Sequence, residues 1–251
     1  MRRFLTLAYG LFSYAVFFAT FLYSIGFIGN LWVPKSIDSV PTTDFVTALA
    51  INALLLAIFA VQHSVMARPF FKRAWTRIVP EPVERSTYVL FSSIAMIVLF
   101  VFWQPMGGVI WDFGGDIART VAYTLYACGW LLLLASTFAI DHFDLFGLRQ
   151  TWRYFRGQEY VPPQFHQPML YRLVRHPLYV GWLVIFWATP TMTVTHLVFA
   201  IATTLYILIA IQFEERDLAD AHPEYADYKR RVPMLVPRLY SKAQQTDTAT
   251  S

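Results

Sequence analysis

Cysteine is all but missing: the chain has one, Cys128, and it sits inside an apolar run. That excludes a disulfide framework and a cysteine-based metal site. Charge is scarce as well. Asp, Glu, Lys and Arg make up 14% of the 251 residues, too few for the hydrated surface of a soluble protein. The GxGxxG signature, a P-loop and GxSxG are all lacking, so no Rossmann-type nucleotide site is indicated. HxxxH and HExxH spacings are lacking too, and no metal is expected.

What is present is apolar. Hydrophobic residues reach 57% and aromatics 18%, gathered into long runs between short charged stretches. A helix that crosses a membrane needs about 20 mostly apolar residues. The runs at 4–29, 44–64, 86–104 and 118–140 are of that order. A further apolar region, 178–212, is broken by TPTMT at 189–193. It is read as a hairpin whose second half can span and whose first half, 178–188, is short for a full crossing. The expected fold class is an all-α integral membrane protein of about six apolar helical segments, the last two a hairpin. The first run is too long for a signal-peptide core and no small-residue cleavage site follows it, so it is read as a retained helix. One domain is expected over 1–240, with a polar, patternless and disordered tail at 241–251.

The net charge of +4 does not imply a nucleic-acid partner, because the basic residues flank apolar runs. Arg2, Arg3, Arg68, Lys72, Arg73, Arg77 and Arg85 fall on one side of the alternating segments, as do Arg149, Arg153, Arg156, Arg172 and Arg175. The opposite loops are poor in them: 30–43 holds only Lys35, and 105–117 none. The positive-inside rule then predicts cytoplasmic termini in a bilayer, expected to be a bacterial inner membrane. The polar chemistry gathers at that end. In a transporter, ionisable residues should instead lie near the midplane, where segment two carries only Asn52.

Three constellations stand out there. In Arg175-His176-Pro177, proline pushes His176 out of the helical region and suits the first helical position itself. A helix starting at Pro177 aims its free N–H groups at the basic end, a place that favours an anion. A plain anchor for lipid phosphates fits the same residues. Glu214 and Glu215 follow the last apolar run directly, and the hairpin brings them near Arg175 and His176. That pairing is either an ion pair closing the hairpin or the wall of a cofactor pocket. Finally, Gln62-His63 ends segment two, and Asp141, His142 and Asp144 end segment four. A buried histidine near carboxylates can act as a general base. The segment HPEYADYKRRVP reads as a short amphipathic helix, either a lid over the site or a rest on the membrane surface.

RHPLYVG (175–181), a hairpin, EERDL (214–218) and HPEYADYKRRVPMLVP (222–237) together resemble the C-terminal signature of the isoprenylcysteine carboxyl methyltransferase superfamily. Its members are membrane enzymes that use S-adenosylmethionine. QHSVMARPFFKRAWTRIVPEPVERSTYVLFSS (62–93), DHFDLFGLRQTW (141–152) and FWATPTMTVTHLVFAIATT (186–204) resemble the NnrU-related branch, and within it thiol S-methyltransferases. The resemblance implies an S-adenosylmethionine site lined by Arg175, His176, Tyr179, Glu214 and Glu215, with Tyr171 and Arg172 contributing. It implies a small volatile thiol as acceptor. A simple alkyl thiol is less acidic than cysteine, with its pKa of about 8.5, so it needs help to become the nucleophilic thiolate. His63 and the Asp141-His142 pair are the candidate bases, and Arg216 or Arg68 the candidate thiolate partner. A larger lipidic acceptor and a non-enzymatic accessory role are the alternatives. Oligomeric state is not legible.

Overall fold

The computed structural model describes residues 1–163 and 166–238; the expected tail at 241–251 lies outside them. Among the described residues five helices are long and apolar enough to cross a membrane: α1 (Arg2–Gly29), α2 (Phe45–Ala67), α4 (Glu81–Phe102), α5 (Asp116–Ile140) and α10 (Val194–Ala221). Short helices join them at the basic end: α3 (Pro69–Trp75), α6 (His142–Leu145), α7 (Leu148–Phe155), α8 (Met169–Leu173) and α11 (Tyr225–Arg231). The sixth apolar segment is the short α9 (Pro177–Trp187). The protein is thus an all-α integral membrane protein. Leu54, Ile58 and Val61 on α2 and Leu205 and Ile209 on α10 are exposed, as lipid-facing side chains are. Hydroxyls on the helices return to the carbonyl four residues back, as Ser13 does to Tyr9 and Ser93 to Val89. Those hydroxyls are then not offered unpaired to hydrocarbon.

The core runs along the bundle axis through Phe27, Leu99, Trp103, Ile185 and Ile211. α5 and α9 approach most closely. A Cβ on Gly181 would lie 2.9 Å from the Leu133 nitrogen and 3.0 Å from the Gly129 carbonyl oxygen. Small residues at a helix crossing let backbones touch, which is how membrane helices gain packing where water no longer drives them together.

The hairpin forms as expected, but its tip holds structure that the sequence did not announce. Eleven residues of α9 rise about 16 Å, half of a hydrocarbon layer of about 30 Å. Between α9 and α10 the chain bends at 190 and is extended at 191–193. Extended backbone needs partners in such surroundings. β2 (Thr191–Thr193) finds them in β1 (Val109–Asp112), antiparallel, with Trp111 opposite Met192 and Asp112 opposite Thr191. His196 Nε2 lies 3.0 Å from the carbonyl of Phe186, near the end of α9. Thr193, hydrogen-bonded to Asp38, caps α10 by accepting from the His196 N–H.

Asn52 also has a structural task. Its amide donates to the Gln104 carbonyl at 2.7 Å and accepts from the Gln104 N–H at 2.8 Å, just beyond the end of α4. Asn52→Ala leaves both groups of a fully buried site without partners. An expected loss of roughly 1–3 kcal/mol is read as a lower melting temperature in detergent.

Candidate functional site

α9 begins at Pro177; His176 leaves the helical region as expected but is not extended, with φ −127° and ψ 61°, and no side chain caps the helix. α10 runs unbroken past the membrane boundary to Ala221, so Glu214 and Glu215 ride on its side rather than facing the unfavourable end of its dipole. The two carboxylates then meet the α9 start, as the hairpin predicts. Glu215 Oε1 accepts from Arg175 at 2.7 Å and lies 3.1 Å from His176 Nε2, while its Oε2 lies 2.7 Å from Lys229 Nζ. The side chain is 4% exposed and that of Arg175 8%. Glu214 is different. Its Oε2 accepts from the Tyr179 hydroxyl at 2.8 Å, and no cation among the described residues lies within ion-pair distance of it.

The C-terminal segment lies over this junction. Arg175 donates to the carbonyls of Lys229 and Val232, and the N–H groups of Arg175 and His176 donate to Pro233 and Met234. Tyr228 donates to the Tyr171 carbonyl at 2.6 Å. Burial pushes the Tyr228 phenol up to about 12. The Tyr171 phenol is raised too, by burial first and then by nearby Glu214. The segment around α11 thus packs on the Arg175–His176 junction. Arg172 turns outward and donates to the Gln167 carbonyl.

A second polar cluster faces this one from α2 and α4. His63 Nδ1 lies 3.1 Å from the Ser92 hydroxyl, and its Nε2 lies 3.0 Å from the Tyr88 hydroxyl. Phe59 stacks on the imidazole. Ser64 and Tyr206 share a hydrogen bond of 3.0 Å, and Arg68 pairs with Asp217 at 2.7 Å, tying α2 to α10. Tyr179 lies within electrostatic reach of both Tyr88 and Tyr206, so the two clusters adjoin.

The remaining predicted residues lie elsewhere. His142 packs between α5 and α1, its ring nitrogens 2.9 Å from the hydroxyls of Thr137 and Tyr14. Burial holds this imidazole below its usual value, and Asp141 opposes that. Asp141 pairs with Arg149. Asp144 is raised by burial, and its partner Tyr160 is pushed up to about 12. This group secures the α5–α7 turn and does not join the junction. Arg216 is exposed on the outer side of α10, because a residue next to inward-facing Glu215 is turned by 100° on a helix. Sequence reasoning gave Arg85 only a topological role and passed over Tyr88, Ser92 and Lys229. Spacing carried a signal for three of them: 85, 88 and 92 form one polar stripe on α4 at helical intervals.

No family model matches the chain, and no solved structure matches it. Several curated proteins do. The chain is 54% identical over 244 residues to the methanethiol S-methyltransferase of Crocosphaera subtropica, covering 97% of this chain and 96% of the relative. It is 50% identical over 238 residues to the methanethiol S-methyltransferase of Mycobacterium tuberculosis, covering 94% and 98%. It is 31% identical over 180 residues to nurim of Rattus norvegicus, covering 68% of each.

Proposed function

The chain belongs to the methanethiol S-methyltransferase family, and on that premise we propose that it methylates methanethiol to dimethyl sulfide, with S-adenosylmethionine as donor. The observation that carries this reading is half identity to such enzymes along almost the whole length of both chains. The donor set fits the cofactor. Glu214 is a carboxylate answered only by a phenol among the described residues, suited to a sulfonium or an ammonium group. The uncapped start of α9 beside it suits a carboxylate. When bound, S-adenosylmethionine supplies an electrophilic methyl group and a neutral leaving sulfur. The protein's own work is to position the thiol and remove its proton.

Arg175, His176 and Glu215 organise the binding wall, with Tyr179 orienting Glu214. Tyr171 borders it. His63 is the proton acceptor of this reading, rather than His142 or Asp141, because its partner Tyr88 adjoins Tyr179. The site opens to the cytoplasm, by the charge bias of the loops.

Two measurements test this. Calorimetry with S-adenosylmethionine on the detergent-purified protein should detect binding, and a headspace assay should detect dimethyl sulfide made from methanethiol. Robust methylation of a prenylated cysteine carboxylate with none of methanethiol would overturn the acceptor. For the roles, His63→Ala should lower turnover by about 10²-fold or more and leave cofactor affinity intact. Glu214→Gln should instead weaken cofactor binding about tenfold, the effect of losing one charge-assisted contact.

A further inference from the structure

Arginines gather at the basic end, and several with shielded side chains are already answered by carboxylates. Arg68 pairs with Asp217, Arg149 with Asp141 and Arg175 with Glu215. Arg85 is not. It is half-buried on α4, and among the described residues no carboxylate lies within ion-pair distance of it. Its Nε donates to the Leu145 carbonyl at 2.7 Å, which fixes the side chain against the loop after α5. Its guanidinium carbon lies 4.9 Å from the centroid of the Tyr88 ring. Asp144, which senses Arg85 electrostatically, is held by Tyr160 at 2.9 Å.

A half-buried cation without a counter-ion is costly unless a ligand supplies the charge. Here it stands over the tyrosine whose hydroxyl lies 3.0 Å from His63 Nε2. One residue before His63, the Gln62 Oε1 atom is buried and has no hydrogen-bond partner. That is a second sign that this wall is built to meet a ligand. The loop that holds Arg85 is itself fixed tightly. Gly147 has φ +86°, and a Cβ there would lie 2.6 Å from the Ser86 nitrogen.

We propose that Arg85 is the cation that stabilises the acceptor thiolate, and that Tyr88 relays the thiol proton to His63. The inference rests on the thiol-methyltransferase reading and deepens it. The S–H bond breaks and its proton passes to the Tyr88 oxygen, while the Tyr88 hydroxyl proton moves to His63 Nε2. The thiolate that remains is held by the guanidinium, and the imidazolium later returns its proton to water. Arg85 replaces Arg216, which faces outward, and Arg68, which Asp217 neutralises. Through Arg85 the DHFDLFG turn touches this wall, since the Leu145 carbonyl aims the cation.

The test uses methanethiol and the more acidic 2,2,2-trifluoroethanethiol with the full-length protein in detergent. Without any methyl donor, ultraviolet thiolate absorbance of bound methanethiol reads the charge on sulfur directly. Arg85→Gln should lower the thiolate fraction at fixed pH about tenfold, the consequence of losing an adjacent opposite charge. Arg85→Lys should keep most of it. In turnover, Arg85→Gln and Tyr88→Phe should each fall about 10²-fold with methanethiol and recover most of that loss with the acidic thiol, which needs less help to ionise. Equal losses on both thiols, or an unchanged thiolate signal in Arg85→Gln, would overturn the assignment. Should Arg85→Gln not fold, Tyr88→Phe carries the acidity comparison, and equal losses there overturn the relay. A wild-type protein that methylates neither thiol would instead sink the function itself.

Discussion

Glu215→Ala should lower the unfolding free energy by about 3–5 kcal/mol, the cost of stripping one partner from a buried ion pair. Glu215 gathers Arg175, His176 and Lys229 on its two oxygens. Removing it leaves the Arg175 guanidinium buried with only the carbonyls of Lys229 and Val232 as acceptors. Lys229 is half exposed and adds little to the sum, since solvent screens its charge. The measurement is thermal unfolding in detergent, read together with proteolysis of the 222–238 segment, which the same arginine holds down. A double replacement by apolar residues, Glu215→Leu with Arg175→Met, should recover much of the loss, because no orphaned charge remains. Both variants would lose cofactor binding, so stability is the discriminating readout. A Glu215→Ala protein as stable as the parent would mean that the carboxylate is held for the ligand and not for the hairpin. The contrast with Glu214 is the point. Two adjacent carboxylates look equivalent in sequence, yet one is saturated by cations and the other is answered by a single phenol.

Gly181→Val should be the most damaging single change outside the site. The α5 and α9 backbones meet at Gly129 and Gly181, where even a Cβ would stand 2.9–3.1 Å from backbone atoms. Backbone cannot swing aside as a side chain can, so α9 must move away. Overpacking of this kind costs about 1–3 kcal/mol and occasionally more. The larger consequence is geometric, because α9 carries His176 and Tyr179 to the carboxylates of α10. Expected results are a lower melting temperature and loss of S-adenosylmethionine binding by calorimetry. Gly114→Val, at a glycine with open space around it, is the control and should leave both unchanged. Cofactor affinity retained in Gly181→Val would show that the site tolerates displacement of α9.

The hairpin is legible in the sequence for a specific reason. Pro177 sets a helix start, TPTMT sets a break, and two apolar halves of one region can only return beside each other. From that, Arg175 and His176 had to face Glu214 and Glu215. His63 was legible as a polar residue ending an apolar run, where burial gives an imidazole something to do. The Asp141-His142 motif looked equally promising, and the structure puts it on another flank. Sequence places a residue along a helix, but which neighbouring helix it meets depends on packing. The same limit hid Arg85. As one arginine among many at a basic boundary, it carried a topological meaning that masked its chemical one.

What the sequence determined by itself is the class of solvent and the ends of the elements. Long apolar runs demand lipid, proline and threonine breaks fix where helices start and stop, and charge bias gathers the polar chemistry at one end. Those are local properties, set by hydration and backbone sterics within a few residues. Which side chains share a site was decided only by the tertiary structure. Two glycines let α5 and α9 touch, Thr191–Thr193 pairs with Val109–Asp112, and the 229–234 stretch folds back onto Arg175. Each of these depends on contacts between segments far apart in the chain, where a difference of a few ångströms decides whether a charge finds a partner or remains for a ligand.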